Sequence, residues 1–502
     1  MSGRRRYRLA LPIGIGALAL SFAGGSRGAV MTPIVFHPTV AEFYQETTGT
    51  TPPTEAQCQA EGRRCFTPQA IQSAYDLGPL YAPRPGFPGG LQGQGITIAI
   101  VDSYGSDTIA NDLHVFDQAF DLQPMCGEAG VACTAGMPTF SRLALQGSPA
   151  TTAHPAQSNN FGQENKTAWA LEVSLDVETA HAIAPMANIL LVTTPTAETL
   201  GVQGFPDMMN AEQYVVDHHL ANVISQSFAS AEDAFGSSQS LQNLRHAYIS
   251  AAQNGITVLG SSGDNGTANV QKQPVKTQPT IPFPTVEWPA SDPLVTGVGG
   301  TYLCTDPTAT TNEPRTITPG PPAKCVANPT QAEVGWTFSG GGFSHVFSTP
   351  SYQSSLPAGS TPIGSMRGVP DVGFQASAGS GALVYVSLPP DGLSSNVVCN
   401  GAPCSSGWYD IGGTSLSCPQ WAGIVAIADQ LNGGGLGLIN PALYKLGAGA
   451  SYSSDFYDIT KGKNQTDPNI AGYPATPGWD PITGLGTPNA ANLVPDLVAA
   501  SH

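Results

Sequence analysis

The segment with the clearest chemical meaning is an octapeptide near the C-terminus, in which a serine follows paired glycines and precedes an apolar helical run. It reads Gly412-Gly413-Thr414-Ser415-Leu416-Ser417-Cys418-Pro419, and the run 420–430 continues from it. Glycines allow a tight turn before a helix, and a serine at a helix start has an accessible hydroxyl beside free backbone N–H groups. Ser415 is therefore a candidate nucleophile, although the pattern also fits a serine that only caps a helix.

A serine hydroxyl needs a base to take its proton, so the base is the second feature to find. A histidine-dependent subtilase is one hypothesis, because Asp102 follows an apolar run and subtilisin-like enzymes also carry Gly-Thr-Ser with a later proline. None of the nine histidines is followed by Gly-Thr, as the histidine of those enzymes is. A histidine triad therefore lacks its base.

A carboxylate on a predicted helix over 167–184 is another candidate base. Glu172 and Asp176 are four residues apart and lie on one face of that helix, which Pro185 ends. A solvated acidic face is the simpler interpretation. The residues around the pair are apolar on nearly all sides, however, so we expect both carboxylates to be partly buried and to share protons, as functional pairs do.

A third acid, Asp264, follows a β-branched run in Ser261-Ser262-Gly263-Asp264-Asn265-Gly266. Asp-Asn-Gly is also an ordinary turn sequence. If the run before it is a strand of a parallel sheet, Asp264 lies at the edge where ligands bind.

The elements that must position these residues alternate between strands and helices. Short β-branched runs recur at 96–101, 188–192, 222–227, 256–261 and 294–298, with helix-like stretches at 211–220 and 241–254. This order predicts an α/β fold with a doubly wound, mostly parallel sheet and helices on both faces. Segments 267–293 and 305–335 are predicted to be surface excursions of one domain.

Charge and the N-terminus limit the classes of function. Nineteen Lys and Arg against 36 Asp and Glu give a net charge of −17, which excludes most nucleic-acid and anionic-membrane partners. Residues 1–28 are typical of a secretory signal, with a basic start, a short apolar core and small residues after it. We therefore expect secretion to the extracellular space or periplasm, a short leader over 29–64, and one main domain over 65–502.

Eight of the nine cysteines form four sequence-local couples: 58 and 65, 126 and 133, 304 and 325, 399 and 404. Local disulfides are the preferred interpretation, and a structural zinc site is the weaker one because no CxxC occurs. The remaining Cys418 lies in an apolar segment and is expected to be a buried packing residue.

Taken together, these motifs resemble the sedolisins, the serine-carboxyl peptidases with a fold similar to that of subtilisin. The resemblance rests on Glu172-x-x-Leu-Asp176, Ser-Gly-Asp264, Gly-Thr-Ser415 with a following proline, and a C-terminal segment. It implies that Ser415 is the nucleophile, Glu172 its general base, Asp176 the carboxylate that tunes Glu172, and Asp264 a donor to the oxyanion. A protonated Asp264 and a Glu base both require acid, so we expect hydrolysis to peak below about pH 5.

The same resemblance implies one structural calcium ion near the C-terminus. The ligands it predicts are the side chains of Asp458 and Asp480 and the carbonyl groups of Ile459, Thr476 and Gly478. Two acidic turn residues in a surface loop are the alternative. A further family-like segment, Gly340-Gly341-Gly342, is either a strand edge for an extended peptide or a flexible loop.

The sequence also departs from the family pattern. Only about 40 residues separate the signal from the catalytic resemblance, which puts control by a long prosegment in doubt. Ser227-Phe228-Ala229-Ser230 stands where relatives often have a Trp-Gly pair, and Asp102 where some carry Glu. The sequence thus predicts a monomeric, secreted acid endopeptidase or tripeptidyl-peptidase acting on proteins or peptides, and an inactive sedolisin-like binding protein is the alternative.

Overall fold

The strands form one large mixed sheet and several small ones. The structure is a computed structural model that describes residues 42–61, 63–145, 160–196, 204–270, 280–303, 333–387, 398–399, 402–403 and 405–502. In chain order the strands are β1 (Glu42–Thr47), β2 (Arg64–Phe66), β3 (Thr97–Ser103), β4 (Phe140–Ala144), β5 (Asn188–Thr194), β6 (Val223–Gln226), β7 (Ser230–Ala231), β8 (Thr257–Ser261), β9 (Glu287–Trp288), β10 (Thr296–Leu303), β11 (Glu333–Gly335), β12 (Gly342–Ser348), β13 (Met366–Val369), β14 (Val372–Gln375), β15 (Ser380–Val386), β16 (Val398–Cys399), β17 (Ala402–Pro403), β18 (Gly407–Gly412), β19 (Phe456–Tyr457) and β20 (Thr487–Pro488).

The helices lie between these strands and at the C-terminus. They are α1 (Glu55–Ala60), α2 (Pro68–Ala74), α3 (Gly78–Tyr81), α4 (Ile109–Phe120), α5 (Asn160–Ile183), α6 (Phe205–Asp217), α7 (Ser238–Gln242), α8 (His246–Gln253), α9 (Thr414–Asn432), α10 (Asn440–Gly447), α11 (Tyr452–Asp455) and α12 (Ala490–Ala500). Short 3₁₀ turns occur at Glu232–Ala234 and Ser351–Ser354.

The large sheet has the strand order β11-β10-β8-β6-β3-β5-β4, with β14 also paired to β10. Its pairings are parallel except for β11, which runs antiparallel to β10. Alternate residues of a strand face opposite sides of its sheet. In β3, Ile98 and Ile100 join the core that contains α5 and α9, whereas Ala99 and Val101 join the core that contains α6 and α8. The predicted doubly wound sheet with helices on both faces is therefore confirmed.

A smaller sheet delivers the nucleophile segment. Its strand order is β1-β18-β15-β2, and β18 leads through Gly413 directly into α9. The pairing of β1 with β18 is antiparallel and places Glu42 opposite Gly412. Strands β1 and β2 are thus part of the sheet that holds the Ser415 turn in place.

Three of the predicted helical stretches have different limits in the structure, and the one predicted over 167–184 begins at Asn160. Helix α6 begins at Phe205, with a proline in its first turn, rather than at residue 211. The predicted helix over 241–254 is two helices, the first of which begins earlier because Ser237 and Ser240 form a capping box. Segment 267–293 is not only a surface excursion, since Trp288 of β9 is fully buried against Phe205.

The cysteine predictions are confirmed where the structure describes them. Disulfides join Cys58 to Cys65 and Cys126 to Cys133, and Cys418 is a free thiol in the core. The couples 304 and 325, and 399 and 404, lie outside the residues whose side chains are described, as does the predicted signal over 1–28. Within the described ranges, no helix is both long and apolar enough to cross a membrane.

Candidate active site

The nucleophile candidate lies at the first turn of α9, after a tight approach of two chain segments. A Cβ atom on Gly412 would lie 2.1 Å from the backbone nitrogen of Ala378, so only glycine fits there. The next N–H, that of Gly413, donates to the carbonyl of Ala376 at 2.6 Å. These contacts fix the start of α9 and bury Ser415 completely.

The second serine of the motif is engaged elsewhere. The hydroxyl of Ser417 donates to the carbonyl oxygen of Gln375 at 2.9 Å. The side chain of Ser415, by contrast, faces the carboxylate of Glu172 and lowers its pKa. Their contact falls short of a well-aligned hydrogen bond, as is common before substrate binds. Of the two serines, Ser415 has the base candidate as its neighbour.

Three buried carboxyl groups, which we call the catalytic cluster, lie behind this serine: Glu172 and Asp176 on α5, and Asp102 at the end of β3. All three are fully buried. Burial and then the neighbouring Asp176 and Asp102 raise the pKa of Glu172 well above its usual value. Burial raises the pKa of Asp102 to about 8, and burial with Asp102 raises that of Asp176 well above normal. The cluster therefore holds its protons tightly.

Asp264 lies directly after β8 and is tied to the residue before Ser415. Its Oδ1 accepts hydrogen bonds from the N–H and the hydroxyl of Thr414, at 2.7 and 2.8 Å. The Thr414 hydroxyl in turn accepts from the N–H of Gly263 at 3.0 Å. Asp264 also lies near enough to Glu172 to affect its pKa. The structure thus brings together all four catalytic residues that the sequence predicts: Glu172, Asp176, Asp264 and Ser415.

The glycine-rich segment 340–342 packs against the Asp264 strand end. The N–H of Gly340 donates to the carbonyl of Gly263 at 2.7 Å, and a Cβ on Gly340 would lie 2.0 Å from the carbonyl oxygen of Ser262. This is close packing of the chain against itself, so the flexible-loop interpretation is wrong. Such packing also holds Asp264 in position.

Histidines that form ion pairs in the described part of the chain do so with other acids. His114 pairs with Glu128, and His181 with Asp117. His345 pairs with Asp233. These contacts give the histidines structural partners away from Ser415.

The predicted calcium ligands converge on one turn. The N–H of Gly478 donates to both carboxylate oxygens of Asp458 at 3.1 Å, and Tyr452 lies close to both Asp458 and Asp480. Asp480 is fully buried, and burial raises its pKa to about 7. A buried carboxylate with a raised pKa is a group that a cation would stabilise in its ionised form.

The donor set at this turn suits a hard cation. In the described residues, the carbonyl oxygens of Ile459, Thr476 and Gly478 accept no hydrogen bond. Gly478 has φ +76°, and a Cβ there would lie 2.4 Å from Ser360 Oγ. The described residues contain no group of three or more His, Cys, Asp or Glu placed to hold a metal. A cation here would rely on two carboxylates and backbone oxygens, which calcium accepts.

Sequence reasoning missed the role of Thr414 as the anchor of Asp264. Thr414 is part of the Gly-Thr-Ser motif, but its two bonds to Asp264 join residues 150 positions apart. Ser227 was singled out only as a departure. In the structure its hydroxyl donates to Oδ1 of Asp176 at 3.0 Å.

Comparison with known proteins gives consistent results. No protein-family model matches the chain. It is 30% identical over 458 residues to kumamolisin of Bacillus sp. (strain MN-32), across 89% of this chain and 66% of kumamolisin. It is also 30% identical over 359 residues to human (Homo sapiens) tripeptidyl-peptidase 1, across 69% of this chain and 55% of that protein. The chain thus spans between about half and two thirds of the length of these relatives.

A solved structure extends the comparison to the fold. Pseudomonas sedolisin, a serine-carboxyl proteinase solved with pseudo-iodotyrostatin, superposes with a TM-score of 0.59 and 25% sequence identity. The match covers 86% of this chain and 98% of that one. The likeness therefore includes nearly the whole of a compact peptidase.

Proposed function

The chain belongs to the sedolisin family of serine-carboxyl peptidases, and on that premise we propose that it hydrolyses peptide bonds through an acyl-enzyme on Ser415. The observation that carries the proposal is the position of Ser415: its side chain faces Glu172, which is backed by Asp176, and Asp264 is fastened to the preceding residue. Kumamolisin, tripeptidyl-peptidase 1 and sedolisin, to which the chain is similar, are peptidases by name.

In the proposed reaction, Ser415 Oγ attacks the scissile carbonyl carbon while Glu172 takes the hydroxyl proton. Glu172 then gives that proton to the leaving amine, and water repeats the sequence to release the acyl group. Asp176 holds Glu172 in place and modulates its affinity for the proton. A base with a raised pKa is ionised in fewer molecules in acid, but each ionised Glu172 is a stronger base.

Asp264 is proposed to stabilise the oxyanion that forms on the substrate carbonyl. Its Oδ1 already accepts two hydrogen bonds from Thr414, so the proton for donation would be carried on Oδ2. A carboxyl group donates only while protonated, and we therefore propose that hydrolysis peaks in acid, below about pH 5.

We also propose a structural calcium ion, held by the carboxylates of Asp458 and Asp480 and the carbonyl oxygens of Ile459, Thr476 and Gly478. When bound, the ion would supply positive charge and tether two distant segments, with no part in bond cleavage. The raised pKa of Asp480 and the absence of hydrogen bonds to those three carbonyl oxygens within the described chain support this site.

Secretion is proposed from the signal-like segment 1–28, with 29–64 as leader and 65–502 as peptidase domain, although β1 of the leader pairs with β18 and Cys58 is bonded to Cys65, so this part of the leader packs as part of the domain. The disulfides Cys58–Cys65 and Cys126–Cys133 support an oxidising compartment. N-terminal sequencing of protein recovered outside the cells checks this proposal. A first residue within 1–28 would contradict removal of the signal.

The test of the function is hydrolysis of denatured protein between about pH 2 and 8 by the parent, Ser415→Ala and Ser417→Ala. We expect activity in acid for the parent and Ser417→Ala, and none for Ser415→Ala. Hydrolysis by Ser415→Ala at the parent rate would overturn the assignment. No hydrolysis by the parent would favour an inactive binding protein.

The mode of cleavage has its own assay. We propose internal cleavage, which predicts hydrolysis of a peptide whose N-terminus is acetylated. Hydrolysis only of peptides with a free N-terminus, three residues from that end, would instead assign a tripeptidyl-peptidase.

A further inference from the structure

The three carboxyl groups of the catalytic cluster share very few hydrogen-bond donors. Both oxygens of Glu172, both of Asp102 and Oδ2 of Asp176 are buried without a well-aligned donor in the described residues. Oδ1 of Asp176 differs, because the hydroxyl of Ser227 donates to it at 3.0 Å. The cluster therefore has one oxygen at which a negative charge is directly stabilised.

Strand pairing explains why Ser227 reaches this position. Strands β3 and β6 run parallel with Val101 opposite Gln226, so the next residues, Asp102 and Ser227, lie side by side. Asp102 lies near the carboxyl end of β3, and Ser227 directly follows β6. Ser227 is fully buried, which keeps water from replacing its hydroxyl.

We propose that Ser227 is a positioning residue of the proposed peptidase: its hydroxyl makes Asp176 the member of the cluster that ionises first and so strengthens Glu172 as a base. This inference rests on the proposed function. A hydrogen bond to the ionised form of an acid favours that form. A negative Asp176 in turn raises the affinity of Glu172 for the proton of Ser415.

The other groups around Asp176 do not supply this effect. Both oxygens of Asp102 lack a well-aligned donor in the described residues, and burial raises its pKa to about 8. Cys418 on α9 is a buried thiol whose pKa is raised to about 12, mainly by burial. Asp264 is among the charges that raise the pKa of Glu172. Ser227 is the group that donates a hydrogen bond to Asp176 in the described residues.

The proposal predicts a particular change in the pH profile of the Ser227→Ala variant. Without the hydroxyl, Asp176 holds its proton to higher pH, and Glu172 then ionises more easily but is a weaker base. We expect kcat to fall about tenfold and the acid limb of the pH profile to move to lower pH by roughly one unit. A residue with only a structural role would lower activity or the melting temperature without moving the limb.

The experiment compares kcat against pH for the parent, Ser227→Ala, Ser227→Thr and Ser225→Ala, with melting temperatures measured alongside. Ser227→Thr keeps the hydroxyl and should restore the parent limb. Ser225 is the matched control, since it is a buried serine two residues earlier whose hydroxyl lies 3.5 Å from Cys418 Sγ. Ser225→Ala should keep the parent profile.

A parent-like acid limb in Ser227→Ala, or an equal shift in Ser225→Ala, would overturn the inference. If Ser227→Ala does not fold, Ser227→Cys replaces it, because a thiol is a weaker hydrogen-bond donor of similar size. Ser227→Cys should move the acid limb in the same direction by a smaller amount. An unmoved acid limb in that variant would overturn the inference. The activity of Ser415→Ala is measured in parallel. If Ser415→Ala is inactive while Ser227→Ala keeps the parent acid limb, only the inference about Ser227 fails and the proposed function stands. Parent-rate hydrolysis by Ser415→Ala overturns both.

Discussion

Helix α5 passes through two buried acid-rich regions, and their chemistry differs. The catalytic cluster comprises Glu172, Asp176 and Asp102. The second region, here called the acid–histidine cluster, includes Glu178 and His181 from the same helix and four residues from α4 and the loop after it. Its members are Asp112, His114, Asp117, Glu128, Glu178 and His181.

In the acid–histidine cluster, the acids lie beside histidines or N–H groups. His181 Nε2 lies 3.1 Å from Asp117 without a well-aligned hydrogen bond to it, and His114 Nδ1 lies 3.1 Å from Glu128. Glu178 accepts a hydrogen bond from the N–H of Tyr385 at 2.8 Å. The catalytic cluster has only the hydroxyl of Ser227 for such a contact in the described residues.

The difference shows that burial alone does not identify a catalytic acid. Burial raises the pKa of Glu172 and of Glu178 well above normal, so the direction of the shift does not separate them. What separates them is the environment of the carboxylate. The carboxylate of Glu172 faces the hydroxyl of Ser415 and has few hydrogen-bond donors around it. The carboxylate of Glu178 accepts a hydrogen bond from a backbone N–H, so it has a structural role.

The largest effect we predict separates these two glutamates by the same substitution. Glu172→Gln removes the base and should lower kcat by about a thousandfold or more, without unfolding the protein. Glu178→Gln still offers an oxygen to Tyr385 and should keep most of the parent activity. Steady-state hydrolysis at acid pH measures both, with circular dichroism to check folding. Equal losses in the two variants would remove the distinction between the clusters.

Asp264→Asn extends the comparison to the oxyanion donor. An amide donates less strongly to an anion than a protonated carboxyl group, so we expect kcat at the optimum to fall by about 10²–10³. The amide does not lose its donor as the pH rises, so the alkaline limb should flatten. The pH profile of kcat tests this outcome, and an unchanged alkaline limb would assign that limb to another group.

Asp458 and Asp480 near the C-terminus form a third acidic environment. A bound cation would balance their negative charge, as the histidines do in the acid–histidine cluster. Removing calcium with a chelator should lower the melting temperature of the parent, because the ion binds only the folded form. Without chelator, Asp480→Ala should already melt at the lower temperature of the chelator-treated parent. Adding chelator should not lower the melting temperature of this variant further. Parent-like melting and calcium content in Asp480→Ala would exclude the site.

The smallest effect we predict is a change in the pH dependence of stability. An unfolded Glu loses its proton near pH 4.5, whereas burial and then Asp117 raise the pKa of folded Glu128 to about 8. The folded form therefore binds more protons between these values, and stability falls as the pH rises through them. Burial lowers the pKa of His181, but Asp117 outweighs it, so this raised pKa acts in the same direction.

Glu128→Gln removes the first of these titrations. Its melting temperature should match that of the parent near pH 4 and exceed it by about 2–4 °C near pH 7.5. Melting curves recorded across this range test the prediction. Curves that stay parallel at every pH would show that Glu128 does not contribute to the loss of stability.

Local patterns predicted much of this molecule. The β-branched runs gave strands close to their observed limits, and the spacing of Glu172 and Asp176 placed both on one buried helix face. The early start of α7 was missed because a capping box, not periodicity, sets where α7 begins. Helix limits depend on such single side-chain contacts.

Contacts between distant segments could not be predicted in the same way. The bonds from Thr414 to Asp264, and from Ser227 to Asp176, join residues far apart in the chain and depend on how strands and helices pack. The acid–histidine cluster was missed for the same reason. Asp117 and Glu128 come from α4 and a loop, and nothing in their local sequence indicates that they meet His181.

The central claim is that Ser415, served by the catalytic cluster, is the covalent nucleophile. A crystal structure with a peptide aldehyde tests it most directly, since an activated serine adds to the aldehyde carbon to form a hemiacetal. We predict continuous electron density from Ser415 Oγ to that carbon, with the hemiacetal oxygen within hydrogen-bonding distance of Asp264. A covalent bond to Ser417, or an aldehyde bound at the cluster without any bond to Ser415, would contradict the account.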